Sequence, residues 1–336
     1  MEQISPGIYR ISMGEIDPYT PFSICDSKPE TKVLSAFQDV KDFVQPAQIK
    51  IERNNRGCVV EIPLSAEEQL YGFGLQIGSF MQKGLKKKPI VNDYPLNNLG
   101  YTHAPQPFYV SNKGYGIIVN TSRYSTFYCG TLKKKANTVT EKDPKKVATS
   151  TEELYSAQSS ENRMYIDIPG AKGLDVFLIC GANLKEVIEK YNLLGGGGAL
   201  PPMWGLGIKY RMKADSKADD VKKMAQYFRQ KEIPCDVLGL EPGWQTAAYS
   251  CSYVWEKNRF PDPESLINSL KQQFFRVNLW EHAYVNPSSP IHDALKNYSG
   301  DYLVWNGLVP DFLTKKGREI FRNYHKETLV DKGISG

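Results

Sequence analysis

A carboxylate and an aromatic ring stand close together after an apolar segment in the middle of the chain. Glu241 and Trp244 follow the run Val-Leu-Gly-Leu at 237–240, which Pro242 and Gly243 bring to a stop. In folds built on parallel strands, ligands bind where the carboxyl ends of the strands meet. If 237–240 is such a strand, Glu241 and Trp244 lie where a ligand would be bound.

The segments before Glu241 have the pattern of a strand, a helix and a second strand. Residues 203–210 are apolar and spaced by glycine after a double proline, which predicts a strand buried on both faces. Residues 219–230 place apolar side chains at helical spacing, and 237–240 is the second strand. A strand, helix and strand within about forty residues form a βαβ unit, which predicts a parallel sheet or barrel.

After Glu241, the alternation of helix and strand continues along the chain. A helix starts at 262–264, a third strand runs over 274–280 and ends near Trp280, and a helix covers 317–332. A (β/α)8 barrel needs eight such units, and this chain holds three with the start of a fourth. We therefore expect the first part of a (β/α)8 (TIM) barrel, the amino-terminal portion of something longer.

The first 180 residues have a different rhythm, with many short β-type runs between Gly, Pro, Asn and Ser. This pattern predicts an antiparallel β-sandwich. The predicted domains are a β-sandwich at 1–194, a glycine-rich linker at 195–200 and the barrel portion at 201–336. Asp93 lies in a long polar connection and is a candidate ligand contact, although an Asp before Tyr-Pro is equally typical of a turn.

Composition excludes several classes of function. The formal charge of +5 is small for 336 residues and does not indicate nucleic acid, and the lysine clusters, including 86–88, are expected to be solvated. Six scattered cysteines predict buried free thiols, and neither they nor the four histidines have the spacing of a metal site. No signal peptide or membrane span is visible, which favours the cytoplasm, with a periplasmic or secreted location open if a signal was removed.

Several motifs in this order resemble glycoside hydrolase family 31, the retaining α-glycosidases. The motifs are Tyr-Gly-Phe-Gly at 71–74, Pro-Phe-Tyr at 107–109, Pro-Pro-Met-Trp-Gly-Leu-Gly at 201–207, Ile-Pro-Cys-Asp-Val at 233–237, Arg-Phe-Pro-Asp at 259–262, Pro-Asp-Phe at 310–312 and Gly-Ile-Ser-Gly at 333–336. The resemblance implies a β-sandwich followed by a (β/α)8 barrel. It also implies that the nucleophilic Asp and the acid/base Asp lie beyond Gly336, so no residue of this chain is assigned a catalytic role.

The resemblance also implies contacts with a sugar. Glu241 matches a position that usually holds an Asp bonded to sugar hydroxyls. Asp311 matches an Asp at the mouth of the barrel, and Asp93 matches the acid that an N-terminal loop contributes to the site of the terminal sugar. Trp244 and Trp280 could stack against a sugar ring, or equally be core aromatics. Glu in place of Asp favours an α-galactosidase-like or α-N-acetylgalactosaminidase-like preference over α-glucosidase. A structural ion pair is the alternative role for Glu241.

Two hypotheses follow for the whole protein. The leading one is a hydrolase of terminal α-linked sugars that works by double displacement, needs no metal or organic cofactor and binds an oligosaccharide or glycoside, with a transglycosylase as a variant. The other is a non-catalytic carbohydrate-binding or interaction module. The sequence predicts no nucleic-acid or membrane partner and leaves the oligomeric state open.

Overall fold

The computed structural model of the chain describes residues 1–25, 27–40, 44–92, 98–131 and 162–336. The chain divides into two compact units, Met1–Gly198 and Ala199–Gly336. Within the described ranges, none of the helices combines the length and the apolar character that crossing a membrane requires.

Unit 1 is built almost entirely from strands. Its strands are β1 (Glu2–Ser5), β2 (Ile8–Gly14), β3 (Lys50–Asn54), β4 (Gly57–Pro63), β5 (Leu70–Gly74), β6 (Lys86–Lys87), β7 (Ile90–Val91), β8 (Tyr101–Thr102), β9 (Pro105–Ser111), β10 (Tyr115–Val119), β11 (Thr126–Cys129), β12 (Arg163–Pro169) and β13 (Gly173–Cys180). Its helices are α1 (Pro21–Ile24), α2 (Thr31–Leu34) and α3 (Leu184–Leu194), with a 3-10 turn at Pro46–Gln48.

Most of these strands form two antiparallel sheets that share one core. The first has the spatial order β1-β2-β13-β10-β9-β5, and the second has the order β3-β4-β12-β11-β6. Ile117 of the first sheet and Ile166 of the second belong to the same buried cluster. The rings of Phe73 and Phe127 meet edge to face at 5.0 Å between the sheets. The apolar inner faces of the two sheets therefore pack against each other and exclude water, as expected for strands along which apolar and polar side chains alternate.

The cysteines are free, as the sequence predicted. All six are unbridged thiols, and five of them are buried, whereas Cys25 is half-buried. Burial raises the pKa of the Cys129 thiol to about 12 and also raises the pKa of Cys58. These thiols are protonated at neutral pH and act as small apolar side chains.

One lysine in the 86–88 cluster lies inside unit 1, so the prediction that this cluster is solvated is wrong for Lys87. The strand β6 turns Lys86 outward and Lys87 inward, where its side chain is fully buried. The Lys87 ammonium donates to Gln76 Oε1 at 3.1 Å and also to Asn98 Oδ1. Removal from water disfavours the charge, and this desolvation lowers the pKa of Lys87.

Stability relative to a Lys87→Met variant is expected to rise with pH. Because the pKa of Lys87 is lower in the folded chain than its ordinary value near 10.4, the unfolded chain binds more protons between those two values. Below the pKa of Lys87 in the folded chain, the buried charge lowers the free energy of unfolding by its full amount. This loss of stability disappears as the pH rises toward about 10.4. Urea unfolding of both proteins from pH 7 to 10.5 measures this difference.

Lys86→Met is the matched control, since Lys86 is the exposed neighbour on the same strand. Lys86→Met removes a lysine that is not buried, so its pH series is the reference for Lys87→Met. If the two variants differ from the wild type in the same way across this range, the effect of burial is contradicted.

Unit 2 contains a parallel sheet flanked by helices. The sheet has the order β14 (Lys209–Arg211), β15 (Val237–Leu240), β16 (Arg276–Leu279), and both pairings are parallel. The helices are α4 (Ala218–Gln230), α5 (Pro263–Gln272), α6 (His292–Leu295) and α7 (Lys315–His325), which continues as a π-helical turn at Lys326–Val330. Short 3-10 turns occur at Met203–Leu206, Pro242–Trp244 and Lys296–Tyr298.

The two faces of this sheet differ sharply in polarity. One face packs Leu238, Leu240 and Val277 against the helices in a single buried cluster. On the other face, Lys209 passes over Gly239 and donates to Asn278 Oδ1. Gly239 leaves the room that this crossing needs, because an added Cβ would lie 3.0 Å from Lys209 Cε.

The prediction of a strand at 203–210 buried on both faces is wrong. A 3-10 turn occupies Met203–Leu206, the strand is limited to Lys209–Arg211, and all three of its residues are exposed. Its lysine and arginine point to the polar face, and it pairs with β15 alone among the described strands. The apolar residues before it had suggested a longer and more deeply buried strand.

A hairpin stands between β16 and α7. It is formed by β17 (Ser299–Val304) and β18 (Gly307–Pro310), which pair antiparallel through Val304 and Gly307. Its two-residue turn, Trp305 and Asn306, has φ angles of 47° and 58°. Positive φ at both turn positions matches the twist of the strands but is uncommon for a tryptophan.

Candidate functional site

Glu241 and Arg211 form a paired charge at the carboxyl edge of the parallel sheet. Arg211 ends β14 and Glu241 follows β15, so parallel pairing brings them to the same edge. The guanidinium donates to both carboxylate oxygens, Nε to Oε1 at 2.7 Å and Nη2 to Oε2 at 2.6 Å. The hydrogen bonds to the Glu241 carboxylate raise the pKa of Arg211, so the guanidinium keeps its charge at neutral pH.

This pair leaves Glu241 able to accept further hydrogen bonds. A carboxylate offers about four acceptor positions, and Arg211 occupies two of them. The Glu241 side chain is 15% exposed and the Arg211 side chain is 70% exposed. The structure therefore contains the ion pair expected as the alternative role for Glu241, together with acceptor capacity for a ligand.

Trp280 lies beside Glu241 on the next strand. Its backbone N–H donates to Leu240 O at 2.8 Å, which continues the β15–β16 ladder to the edge of the sheet. The indole is half-buried, and its ring lies 5.3 Å from that of Tyr249. Trp280 therefore keeps part of its surface accessible at the position where the sequence placed it.

Trp244 is the core aromatic that the sequence weighed equally with a ring stacked on a sugar. The 3-10 turn Pro242–Trp244 directs the indole inward, where it is fully buried and meets Trp255 edge to face at 5.0 Å. Its Nε1–H donates to the Trp280 carbonyl oxygen at 2.8 Å. Trp244 is a core aromatic that supports the backbone of Trp280.

Buried polar side chains hold the segment that follows Trp280. The Tyr253 hydroxyl donates to His282 O at 2.8 Å, and the Tyr253 N–H donates to Gln245 Oε1 at 3.0 Å. Burial raises the pKa of the Tyr253 hydroxyl and of the Cys251 thiol, so both keep their protons at neutral pH. These hydrogen bonds hold the backbone of residues 280–284 in place from its buried side.

Gly243 permits a close approach between two loops. The Arg259 guanidinium donates to Ala214 O at 2.9 Å and to Gly243 O at 3.3 Å. An added Cβ at Gly243 would overlap both Ala214 O and Arg259 Nη1. The loops after β14 and β15 are therefore in contact, and only glycine fits between them.

Aromatic rings that the sequence did not assign to the site extend from Trp280. Tyr249 and Trp305 meet at a centroid distance of 5.1 Å and an interplanar angle of 88°. His282 lies 5.0 Å from Trp305, and Tyr284 lies 5.6 Å from it. Tyr249 belongs to a loop rich in aromatic residues, and Trp305 follows a strand-like segment. Because the two residues are far apart in the sequence, the sequence alone did not predict their contact.

The two remaining site predictions are Asp311 and Asp93. Asp311 follows β18, and its Oδ1 accepts from the Leu313 N–H at 2.9 Å in a local turn before α7. Within the described part of the chain, no hydrogen bond or ion pair links Asp311 to Glu241. Asp93 falls outside the described residues, so its role as a ligand contact stays a prediction.

Glu281 joins the end of β16 to α7. Its Oε1 lies 3.0 Å from His325 Nε2, and His325 Nδ1 lies 2.9 Å from Phe321 O. In the described ranges, no group of three or more His, Cys, Asp or Glu side chains is arranged to hold a metal ion. The chemistry that this edge offers is hydrogen bonding to hydroxyls and contact with aromatic rings.

Comparison with known proteins places this edge in a recognised domain. The sequence model of the glycosyl hydrolases family 31 TIM-barrel domain matches residues 198–336. The α-xylosidase XylQ of Lactiplantibacillus pentosus is 26% identical over 294 residues, which cover 82% of this chain and 34% of XylQ. The α-glucosidase 2 of Bacillus thermoamyloliquefaciens is 28% identical over 347 residues, which cover 94% of this chain and 40% of that enzyme.

Solved structures share the fold. A dextranase of this family from Flavobacterium johnsoniae, complexed with glucose, superposes with a TM-score of 0.68 at 20% identity. The match covers 85% of this chain and 34% of the dextranase. An α-xylosidase of this family from a soil metagenome, complexed with xylose, gives a TM-score of 0.64 at 14% identity. The chain spans only 34% to 40% of the length of the two sequence relatives named above.

Proposed function

Because residues 198–336 belong to the TIM-barrel domain of glycosyl hydrolase family 31, we propose that the full-length protein hydrolyses terminal α-linked sugars. The observation that carries this proposal is the position of Glu241, held by Arg211 at the carboxyl edge of the sheet and next to Trp280. Ligands of such barrels bind at this edge. The xylosidase and glucosidase names of the sequence relatives support the same class of activity.

Glu241 and Trp280 have complementary roles in this proposal. A fixed carboxylate accepts hydrogen bonds from sugar hydroxyls in one configuration and leaves other configurations without partners. The accessible part of the Trp280 ring can cover the C–H side of a sugar. Arg211 holds the Glu241 carboxylate in one orientation before the sugar arrives, which lowers the cost of ordering the site on binding.

The proposed reaction is a retaining double displacement. It needs two carboxyls roughly 5–5.5 Å apart, one that attacks the anomeric carbon and one that protonates the leaving oxygen and then activates water. We assign both to residues after Gly336, and we give Glu241 and Asp311 no part in bond breaking. The role of Asp311 as a substrate contact at the barrel mouth also stays a proposal.

The domain organisation in this proposal is that of an N-terminal β-sandwich and the first three βα units of a barrel. The shared core of the two antiparallel sheets in unit 1 supports a β-sandwich. The three parallel strands with intervening helices in unit 2 support the barrel portion. We propose that residues 195–200 join the two.

The identity of the sugar is the open part of the proposal. The sequence favoured an α-galactosidase-like or α-N-acetylgalactosaminidase-like preference because Glu241 stands where the family usually has Asp. The sequence relatives named above are an α-xylosidase and an α-glucosidase, which does not support that preference. A panel of α-xylosides, α-glucosides, α-galactosides and α-N-acetylgalactosaminides distinguishes these options.

The test uses the full-length protein and that panel of p-nitrophenyl glycosides. Release of nitrophenol from one α-glycoside, with the α-anomer of the free sugar formed first, is the expected result. Binding of a sugar without turnover would favour the non-catalytic carbohydrate-binding module instead. Release of the β-anomer first would exclude the retaining mechanism.

A further inference from the structure

A histidine at the end of α7 holds the carboxylate that follows Trp280. Glu281 Oε1 lies 3.0 Å from His325 Nε2, and the imidazole side chain is 14% exposed. The other carboxylate oxygen, Oε2, is buried and has no hydrogen-bond partner among the described residues. Nε2 and Oε1 are close without the alignment of a hydrogen bond, so the contact is an ion pair. His325 is therefore the group that compensates this partly buried carboxylate.

Both ring nitrogens of His325 face acceptors. Nδ1 lies 2.9 Å from Phe321 O, the carbonyl oxygen one turn earlier on α7, so Nδ1 carries a proton and donates it. A neutral imidazole would then turn the lone pair of Nε2 toward the Glu281 carboxylate, and two acceptors repel each other. The contact is attractive only while the pair holds one proton more than a neutral imidazole beside a carboxylate.

The polar groups packed against this pair keep their own protons near neutral pH. The Tyr253 ring meets the His325 ring at 4.8 Å, and burial raises the pKa of the Tyr253 hydroxyl. Burial also raises the pKa of the Cys251 thiol, on the same loop, and of the Tyr324 hydroxyl on α7. Of these groups and the pair itself, only His325 and Glu281 change charge near neutral pH.

Two further titratable side chains, one beside each member of the pair, have partners of their own. His282 accepts at Nδ1 from the Tyr284 N–H at 3.1 Å, and this bond requires that Nδ1 has no proton. The Lys326 ammonium donates to Asp331 Oδ2 at 2.7 Å. A gain of a proton would break the bond of His282, whereas a loss of a proton breaks the contact of His325. The two histidines therefore respond to pH in opposite directions.

The segment that carries Trp280 is held to α7 at two points. The first is the ion pair. At the second, the Tyr253 hydroxyl donates to His282 O at 2.8 Å, and the Tyr324 hydroxyl donates to Tyr253 O at 3.2 Å. This second point does not change near neutral pH, because both hydroxyls keep their protons. The ion pair is thus the attachment that depends on pH.

We propose that His325 is a positioning residue for the sugar-binding edge, and that it places Trp280 for the sugar only while the His325–Glu281 pair holds its additional proton. This inference rests on the proposed function, in which the Trp280 ring covers the sugar. When the proton leaves, the carboxylate turns away from the imidazole, and one attachment of the segment to α7 is lost. The sugar therefore binds more tightly at mildly acid pH than at mildly alkaline pH.

The test measures, by calorimetry, the affinity of the full-length protein for the free sugar that its best α-glycoside releases. From about pH 6 to 8, where histidine exchanges its proton, the wild-type dissociation constant should rise about 3- to 10-fold. Glu281→Gln should remove this rise, because an amide N–H can donate to the neutral imidazole. His325→Gln should remove it too, since the amide does not titrate. His325→Gln also loses the ring stacked on Phe321 at 4.0 Å, whereas Glu281→Gln keeps every ring.

His292→Gln is the matched control. His292 and Asp293 form another contact between a histidine and an acid in unit 2, at 3.1 Å, between adjacent residues of α6. This variant should keep the pH response of the wild type. A wild-type dissociation constant that does not change with pH would overturn the inference. So would a response in Glu281→Gln and His325→Gln that equals the response of the wild type.

Hydrogen exchange gives a readout that does not depend on the sugar. After correction for the intrinsic effect of pH, peptides that cover residues 276–286 should lose protection from about pH 6 to 8 in the wild type and in His292→Gln, but not in Glu281→Gln. If no sugar binds at any pH, the proposed function fails, and this exchange decides about His325. A loss of protection that is equal in all of these proteins would overturn the positioning role.

Discussion

Glu241→Gln in the full-length protein is expected to lower kcat/KM for its best α-glycoside about 100-fold, with little change in stability. The hydrogen bond from a hydroxyl to a charged acceptor is worth about 1.5–3 kcal/mol, and tenfold in rate corresponds to about 1.4 kcal/mol. The amide keeps the size of the side chain but replaces one acceptor oxygen with a donor. The stability change should be small because Arg211 is 70% exposed, and exposed ion pairs contribute about 0–1 kcal/mol.

Unit 1 supplies a matched control for this variant. The Arg56–Asp167 pair has nearly the same side-chain exposure, 74% and 16%, as the Arg211–Glu241 pair. Asp167→Asn should therefore reproduce the small change in melting temperature and leave kcat/KM unaltered. If Glu241→Gln lowers the melting temperature and retains full activity, Glu241 is a structural partner of Arg211 and does not contact the sugar.

Trp244→Ala is expected to cause the largest loss of stability among the variants considered for unit 2, about 3–5 kcal/mol. The indole is fully buried and packs on Trp255, and its removal also leaves the Trp280 carbonyl without its donor. Both effects act on the segment that carries the proposed sugar contacts, so activity should fall with stability. Urea denaturation followed by circular dichroism measures the change in unfolding free energy.

Two further variants separate the causes. Trp244→Phe keeps an aromatic ring but lacks the Nε1 donor, and should cost about 1–3 kcal/mol. Phe274→Ala removes a ring that is 86% exposed and should be close to neutral. A loss below about 1 kcal/mol for Trp244→Ala would mean that the indole does not support the site as the structure indicates.

Local sequence patterns were sufficient to place Glu241 and Trp280. Each residue directly follows a short apolar run, and the period of the intervening helix fixes the runs as parallel neighbours. The carboxyl edge of the sheet follows from that topology alone. The same reasoning placed Trp244 at the edge but could not give its direction. Trp244 is the fourth residue after β15, and there a 3-10 turn decides whether its side chain faces inward or outward.

The Tyr249–Trp305 pair was beyond such reasoning for a different reason. The two residues are 56 positions apart, and both belong to irregular loops or turns that carry no periodic signal. Their contact depends on the close approach of Gly307 to Ser250 and on the Val285–Leu308 hydrogen bonds. A usable hint was present in the sequence, since Trp-Asn before Gly between two strand-like runs is compatible with a tight turn.

The unequal faces of the parallel sheet have a consequence for how unit 2 folds. Leu238 and Val277 gain apolar contacts only on the helix side, whereas Arg211 and Glu241 lie on the polar side. Collapse should therefore begin where α4 and α5 meet the sheet, and the polar side should become ordered after the main barrier. In folding and unfolding kinetics, truncation of Leu238 or Val277 should mainly slow folding, while loss of the Arg211–Glu241 pair should mainly speed unfolding. The part of unit 2 proposed to bind sugar would then be the last to form and the first to open.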